Sequence, residues 1–188
     1  MNRYFKHFKT VCKHKWFVFK ACRKAGIVWR GITHDNSKFT PTEFLECSRY
    51  YTGTSSPINR AKEEQGVSYA WLHHKGRNPH HWEYWVDNIS EGGKGRPIPY
   101  KYALELICDY IGAGQTYEGD NWTFDRPYDY WIEVVKPKAI IERRTSNFIE
   151  CIFWTMKVEQ NYNALDSEYT KSVYESNLKG WVYQCFDW

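Results

Sequence analysis

Apolar residues recur along this chain at helical spacing, and nowhere do they alternate over any length, which restricts the fold to packed helices. Residues 4–25 place Val11, Val18, Cys22 and Ala25 on one stripe with lysines between them, and Gly26 stops the segment. Ile27, Val28, Trp29 and Ile32 open a short, largely buried helix over 27–35. In Thr40-Pro41-Thr42-Glu43, Thr40 reads as the N-cap, Pro41 as the first helical residue and Glu43 as the third-position carboxylate of a helix over 41–51. Residues 52–59, rich in Ser, Thr, Gly and Pro, form a loop. Helices are expected over 60–75 and 80–90, separated by Gly76-Arg77-Asn78-Pro79, with Asn78 as a cap and Pro79 leading the second. A Gly- and Pro-rich loop over 91–99 is long enough to cover a site. A helix over 99–113 closes at Gly112 and Gly114, and residues 115–126 are polar and irregular. Later helical stretches hold Tyr130 to Val135 and Phe148 to Met156, and a last helix spans about 167–183. The fold class is therefore all-α: a helical core over 1–114 and a C-terminal extension over 115–188, in a single domain overall. Trp131, Phe148, Ile152 and Phe153 need an apolar surface, which binds the extension to the core.

Charge adds one regional feature. The net charge is only +4, but the stretch to Lys24 is basic, with Arg3, Arg23 and lysines 6, 9, 13, 15, 20 and 24. A solvated helix face is the expectation; steering of an anionic substrate or contact with nucleic acid are the alternatives. The ten Trp, fifteen Tyr and ten Phe suit the filling of a small helical core. The six cysteines, at 12, 22, 47, 108, 151 and 185, form no Cys-x-x-Cys and read as reduced, mostly buried thiols. No apolar run reaches the roughly 18 residues of a membrane span, and no signal-peptide core follows the basic N-terminus. The expected location is the cytosol.

The histidines carry the chemistry. His34-Asp35 offers two types of metal ligand from adjacent residues, and imidazole with carboxylate suits divalent Mn, Fe, Co, Ni or Zn. Lys38 adds a compact cation that suits a phosphate oxygen. His14 falls on the apolar stripe of the first helix, where its ring needs either a metal or a core hydrogen bond; His7 is its rival on the same face. The pairs His73-His74 and His80-His81 follow, and Asp109 lies one turn beyond Glu105, which competes with it, as does Asp87. Adjacent residues of a helix point about 100° apart, so one member of each histidine pair is expected to face a metal.

The order His14, His34-Asp35-x-x-Lys38, His73-His74, His80-His81, Asp109 resembles that of the HD-domain superfamily of metal-dependent phosphohydrolases, which are helical bundles. His34-Asp35-x-Ser37-Lys38-Phe39, then Ala70-Trp71-x-His73-His74-x-x-x-Asn78-x-His80-His81-x-x-Tyr84-Trp85, is closer still to a group of small HD-like proteins of bacteria and their phages that has no assigned substrate. The likeness spans residues 10–113. It implies that His14, His34, Asp35 and Asp109 hold one metal ion. It also implies that Asp35 bridges to a second ion completed from His74, His80 and His81. Asp35 and Lys38 are then the catalytic pair, and Lys38, Arg77 and Asn78 contact substrate. The implied activity is hydrolysis of a nucleotide or other small phosphate ester. A di-iron oxygenase on the same ligands, and a non-catalytic nucleotide- or protein-binding protein that keeps the metal for stability, are the alternatives.

Overall fold

A computed structural model describes residues 2–178. Among them the architecture is all-α: α1 Arg3–Lys24, α2 Val28–Thr33, α3 Pro41–Tyr50, α4 Pro57–Gln65, α5 Tyr69–Lys75, α6 Tyr100–Glu118, α7 Arg126–Tyr130, α8 Arg143–Glu159 and α9 Ser167–Leu178. The only strands among these residues are β1 Val86–Asp87 and β2 Lys94–Gly95, an antiparallel two-residue ribbon. None of the described helices is long and apolar enough to cross a membrane. The part of the last helix expected beyond Leu178, and Cys185, lie outside the described residues.

Local signals set most of the helix limits. Asn2 caps α1 by accepting from the Tyr4 N–H at 3.1 Å, and Gly26 ends it at φ 73°, a conformation open to glycine without steric cost. Pro41 and Pro57 stand in the first turns of α3 and α4, and Glu142 accepts from the Thr145 N–H at 3.0 Å to start α8.

Three expectations are corrected. The single helix over 60–75 is two, because Gly66 turns left-handed at φ 76° and Ser68 caps a new helix by accepting from the Trp71 N–H at 3.1 Å. The helix over 80–90 is absent: Trp82–Trp85 and Ile89–Glu91 are single 3₁₀ turns on either side of β1. Asn78 does not cap there. Its Nδ2 turns back to the His74 carbonyl at 2.8 Å, and the Trp85 indole donates to the Pro79 carbonyl at 2.7 Å, which closes the chain into a loop. Finally, Gly112 and Gly114 do not end α6, which runs on to Glu118.

Gly112 serves packing instead. A Cβ there would stand 2.4 Å from Val18 Cγ2 and 2.9 Å from the Val18 backbone nitrogen, so its absence lets α1 and α6 lie in close contact along their lengths. One apolar core surrounds that seam. Val18, Leu104, Ile107 and Ile111 meet Trp131 of the π-helical turn after α7, Phe148, Ile152 and Phe153 of α8, and Leu165. The expected apolar surface for the C-terminal helices is thus the outer side of α6. Each ring or aliphatic chain fully buried there contributes on the order of 2–3 kcal/mol.

Gly112→Ala tests the seam. Alanine is the better helix former by about 1 kcal/mol, but its methyl group meets backbone that cannot rotate aside. We expect a net loss of about 1–3 kcal/mol in urea denaturation; a stabilised variant would show that the helices are free to separate.

Candidate metal centre

The chain leaves helical geometry where the chemistry begins. α2 ends at Thr33, His34 is extended at φ −49°, ψ 129°, and Asp35 is left-handed at φ 53°, ψ 27°. Aspartate tolerates that region better than most residues, and such a conformation is retained where surroundings enforce it. The excursion turns both side chains inward, where each is 1% exposed. A 3₁₀ turn over Asn36–Phe39 then carries Lys38.

The α1–α6 seam supplies His14 and Asp109, their side chains 3.1 Å apart from Nε2 to Oδ1. His34 Nε2 lies 3.4 Å from His14 Nε2, 3.3 Å from Asp35 Oδ2 and 3.4 Å from Asp109 Oδ1. His14, His34, Asp35 and Asp109 thereby form one group able to hold a metal ion, and Asp35, His74, His80 and His81 form a second. Asp35 belongs to both through different oxygens. Oδ2 faces His14 and His34, while Oδ1 stands 3.2 Å from His74 Nε2 and 3.4 Å from His80 Nε2.

The donor set fits an ion. Atoms held about 2.1 Å from one centre at tetrahedral or octahedral angles lie roughly 3.0–3.5 Å from each other, and the edges of the first group run from 3.1 to 3.5 Å. Both Asp35 oxygens, His80 Nε2 and His81 Nε2 are buried without a well-formed hydrogen bond, a costly state for polar atoms that a bound cation relieves. Lys38 Nζ forms an ion pair with Asp35 Oδ2 at 2.5 Å, which leaves Oδ1 facing only His74 and His80.

Titration follows the same pattern. Burial opposes the charge of Asp35, but His34, Lys38 and His74 outweigh it and hold the carboxyl well below its usual range. Asp109 is likewise held down against burial by His14 and His34. Burial and then Asp35, Asp109 and Glu105 act on His34, with the carboxylates winning and raising it. His80 and His81 go the other way, lowered by burial and by neighbouring imidazoles. A lowered pKa keeps the rings neutral, the state in which a histidine binds metal.

Two further carboxylates orient these rings. Glu105 Oε1 is 3.1 Å from His34 Nδ1 and 3.4 Å from His80 Nδ1, one ring from each group, and Arg30 forks onto its Oε2 at 2.5 and 2.6 Å. Against burial, His34 and His80 bring Glu105 down to about 2. Glu43 accepts from His74 Nδ1 and His73 Nδ1, each at 2.7 Å. Carboxylates on the far nitrogen fix a ligand ring and its tautomer. Glu43 is thus not a capping residue: Thr40 makes no side-chain cap and donates to the Ser37 carbonyl at 2.7 Å.

Sequence reasoning placed His14, His34, Asp35, His74, His80, His81 and Asp109 in the site, and the structure brings all seven together. It uses both members of the second histidine pair, because residues 80–81 are not helical and the 100° rule does not govern them. His73 goes to Glu43. His7 packs between Phe44 and Tyr51, lowered to about 4 by burial and Lys38. Asp87 pairs with Arg96 at the surface. Arg77 and Asn78, expected to contact substrate, stand apart from the residues around the cavity. Asn78 donates to Ser37 Oγ at 2.9 Å and holds His74, and neither residue lines the cavity beside the metal groups. That cavity, of about 480 Å³, is lined by Lys38, Lys62, Lys138, Trp71, Tyr110 and Tyr130, among others.

A family model described as a family of unknown function, DUF5662, matches residues 3–171. The chain belongs to that family. The matched residues include both groups able to hold a metal ion and the two carboxylates behind them. No curated protein and no solved structure matches the chain.

Asp35→Asn keeps a side chain that tolerates the left-handed backbone but removes the charge shared by the two groups. We expect it to lose bound transition metal more completely than His14→Ala or His80→Ala, with His73→Ala close to wild type, in metal analysis by mass spectrometry. Equal retention by Asp35→Asn and wild type would remove the shared carboxylate from the account.

Proposed function

We propose that this protein is a metal-dependent phosphohydrolase acting on a nucleotide or other small phosphate ester, and that its helical core is of the HD-domain type. The observation that carries the reading is one carboxylate divided between two histidine-rich groups at the wall of a cavity that also presents ammonium groups. Two divalent ions in such a site lower the pKa of a bound water and offset charge on a transferring phosphoryl group. The His14/His34/Asp109 side and the His74/His80/His81 side would each hold one, with Asp35 between them.

The remaining work falls to the chain's own residues. Glu105, paired with Arg30, fixes His34 and stands 3.4 Å from His80 Nδ1, and Glu43 fixes His74. Lys38 remains a cation, because Asp35 and Asp109 outweigh the effect of its burial. In the absence of substrate it compensates Asp35; facing the cavity, it can transfer that attraction to a phosphate oxygen. Lys62 and Lys138 line the same space and draw an anion inward. Trp71, with Lys62 Nζ 4.9 Å from its ring centroid, gives a flat apolar face for a base or other planar group. The volume of about 480 Å³ lies in the range of small-molecule sites.

Lys38→Met separates substrate binding from metal binding, since it keeps the length and removes the charge. We expect bound metal and fold to be retained and turnover of phosphorylated substrates to fall about 10- to 1000-fold, on the order of 1.4–4 kcal/mol. Metal content and a screen of phosphorylated metabolites on one preparation give the answer. Unchanged turnover confines Lys38 to balancing Asp35; loss of metal makes its role structural. Iron in the purified protein, with an absorption band between the metals, would point to the oxygenase chemistry instead.

A further inference from the structure

A second surface, on the far side of α1 from the metal ligands, carries its own pattern. His7, Val11, His14 and Val18 are buried. Opposite them Phe5, Phe8, Cys12, Trp16 and Phe19 recur three or four residues apart, a second stripe along the same helix. Trp16 is 58% and Phe5 48% exposed, and α2, packed on α1, adds Trp29 at 72%. Phe39 continues the surface beside Phe8, ring centroids 5.9 Å apart.

The charge of this region is one-sided. Residues 1–42 contain ten lysines and arginines and a single acid, Asp35, which is buried in the metal groups. Residues 43–188 contain sixteen cations and twenty-one acids. Arg30 and Lys38 turn to Glu105 and Asp35, and the other eight of the ten cations stand on α1, a concentration that the modest net charge of +4 hides. The cations run along the edge of the ring stripe: Lys9 Nζ is 4.8 Å from the Phe5 centroid, and Lys20 lies on the same side of α1.

We infer that this α1–α2 face binds single-stranded nucleic acid, with Trp16 and Trp29 stacking on bases and the α1 lysines meeting phosphates. Charge decides against a second copy, because a symmetric contact would press two basic faces together. A single strand carries its unpaired bases along one side and its phosphates along the other, which a stripe of rings beside a row of lysines complements. The inference does not depend on the metal centre or on the proposed hydrolase activity.

The test is fluorescence anisotropy of a labelled oligo(dT) of about 20 nucleotides, longer than the ~4–16 nucleotides typical of a single-strand site, across roughly 50–300 mM salt. Metal content and circular dichroism of every variant serve as controls. We expect wild type to bind with a log K that falls by about 0.7 per phosphate contact for each unit of log salt. Trp16→Ala and Trp29→Ala should each weaken binding about 5- to 150-fold with the salt slope unchanged. The combined Lys6→Glu, Lys9→Glu and Lys20→Glu variant should flatten the slope. Wild type that fails to bind at low salt, or binding indifferent to both sets of changes, would overturn the inference. So would preference for duplex of the same length, or capture by phosphatidylserine-containing vesicles with the oligonucleotide left free.

Discussion

The structure is organised around a buried negative charge. Asp35 is 1% exposed, sits in a left-handed backbone conformation, and points its two oxygens at different sets of imidazoles. An isolated carboxylate in such a place costs several kcal/mol, and Lys38 pairs with only one of its oxygens. Much of the remaining architecture answers to this demand. The glycine seam between α1 and α6 brings His14 to Asp109, the break after α2 turns His34 and Asp35 inward, and α3 packs on α5 so that Glu43 can hold His74. The helices are there to satisfy their own apolar faces; the irregular backbone is there for the charge.

The supporting carboxylates make the two groups interdependent. Glu105 bonds His34, lies 3.4 Å from His80 Nδ1 in the other group, and is itself held by Arg30. Asp35 provides a second link through its two oxygens. The groups therefore share both a ligand and an orienting residue, an arrangement suited to binding ions cooperatively.

Much of this was legible in the sequence, and the remainder was hidden for physical reasons. Helical periodicity with Gly and Pro punctuation yields the all-α class and the positions of α1, α3, α6 and α8, and the order of His and Asp residues names the seven ligand candidates. What failed were inferences that treated local chemistry as settled locally. Glu43 stands where a capping carboxylate belongs, but two histidines from α5 recruit it. Asn78 precedes a proline as a cap would, but the His74 carbonyl is a nearer partner. Gly112 looks like a helix stop, and only the approach of Val18 from α1 shows why it is glycine. Glu105 was visible as a rival to Asp109, one turn before it on the same face, and serves beside it. The cavity walls gave no signal, since Lys62, Trp71 and Lys138 come from separate segments whose meeting depends on the tertiary fold.

The central claim is that two ions sit on either side of the Asp35 carboxylate, and anomalous diffraction at a transition-metal absorption edge, from crystals of protein purified with metal present, tests it most directly. The account predicts two anomalous peaks, one among His14, His34, Asp35 and Asp109 and the other among Asp35, His74, His80 and His81. Crystals without anomalous density at either position, or with metal bound only at the half-buried His73, would contradict it.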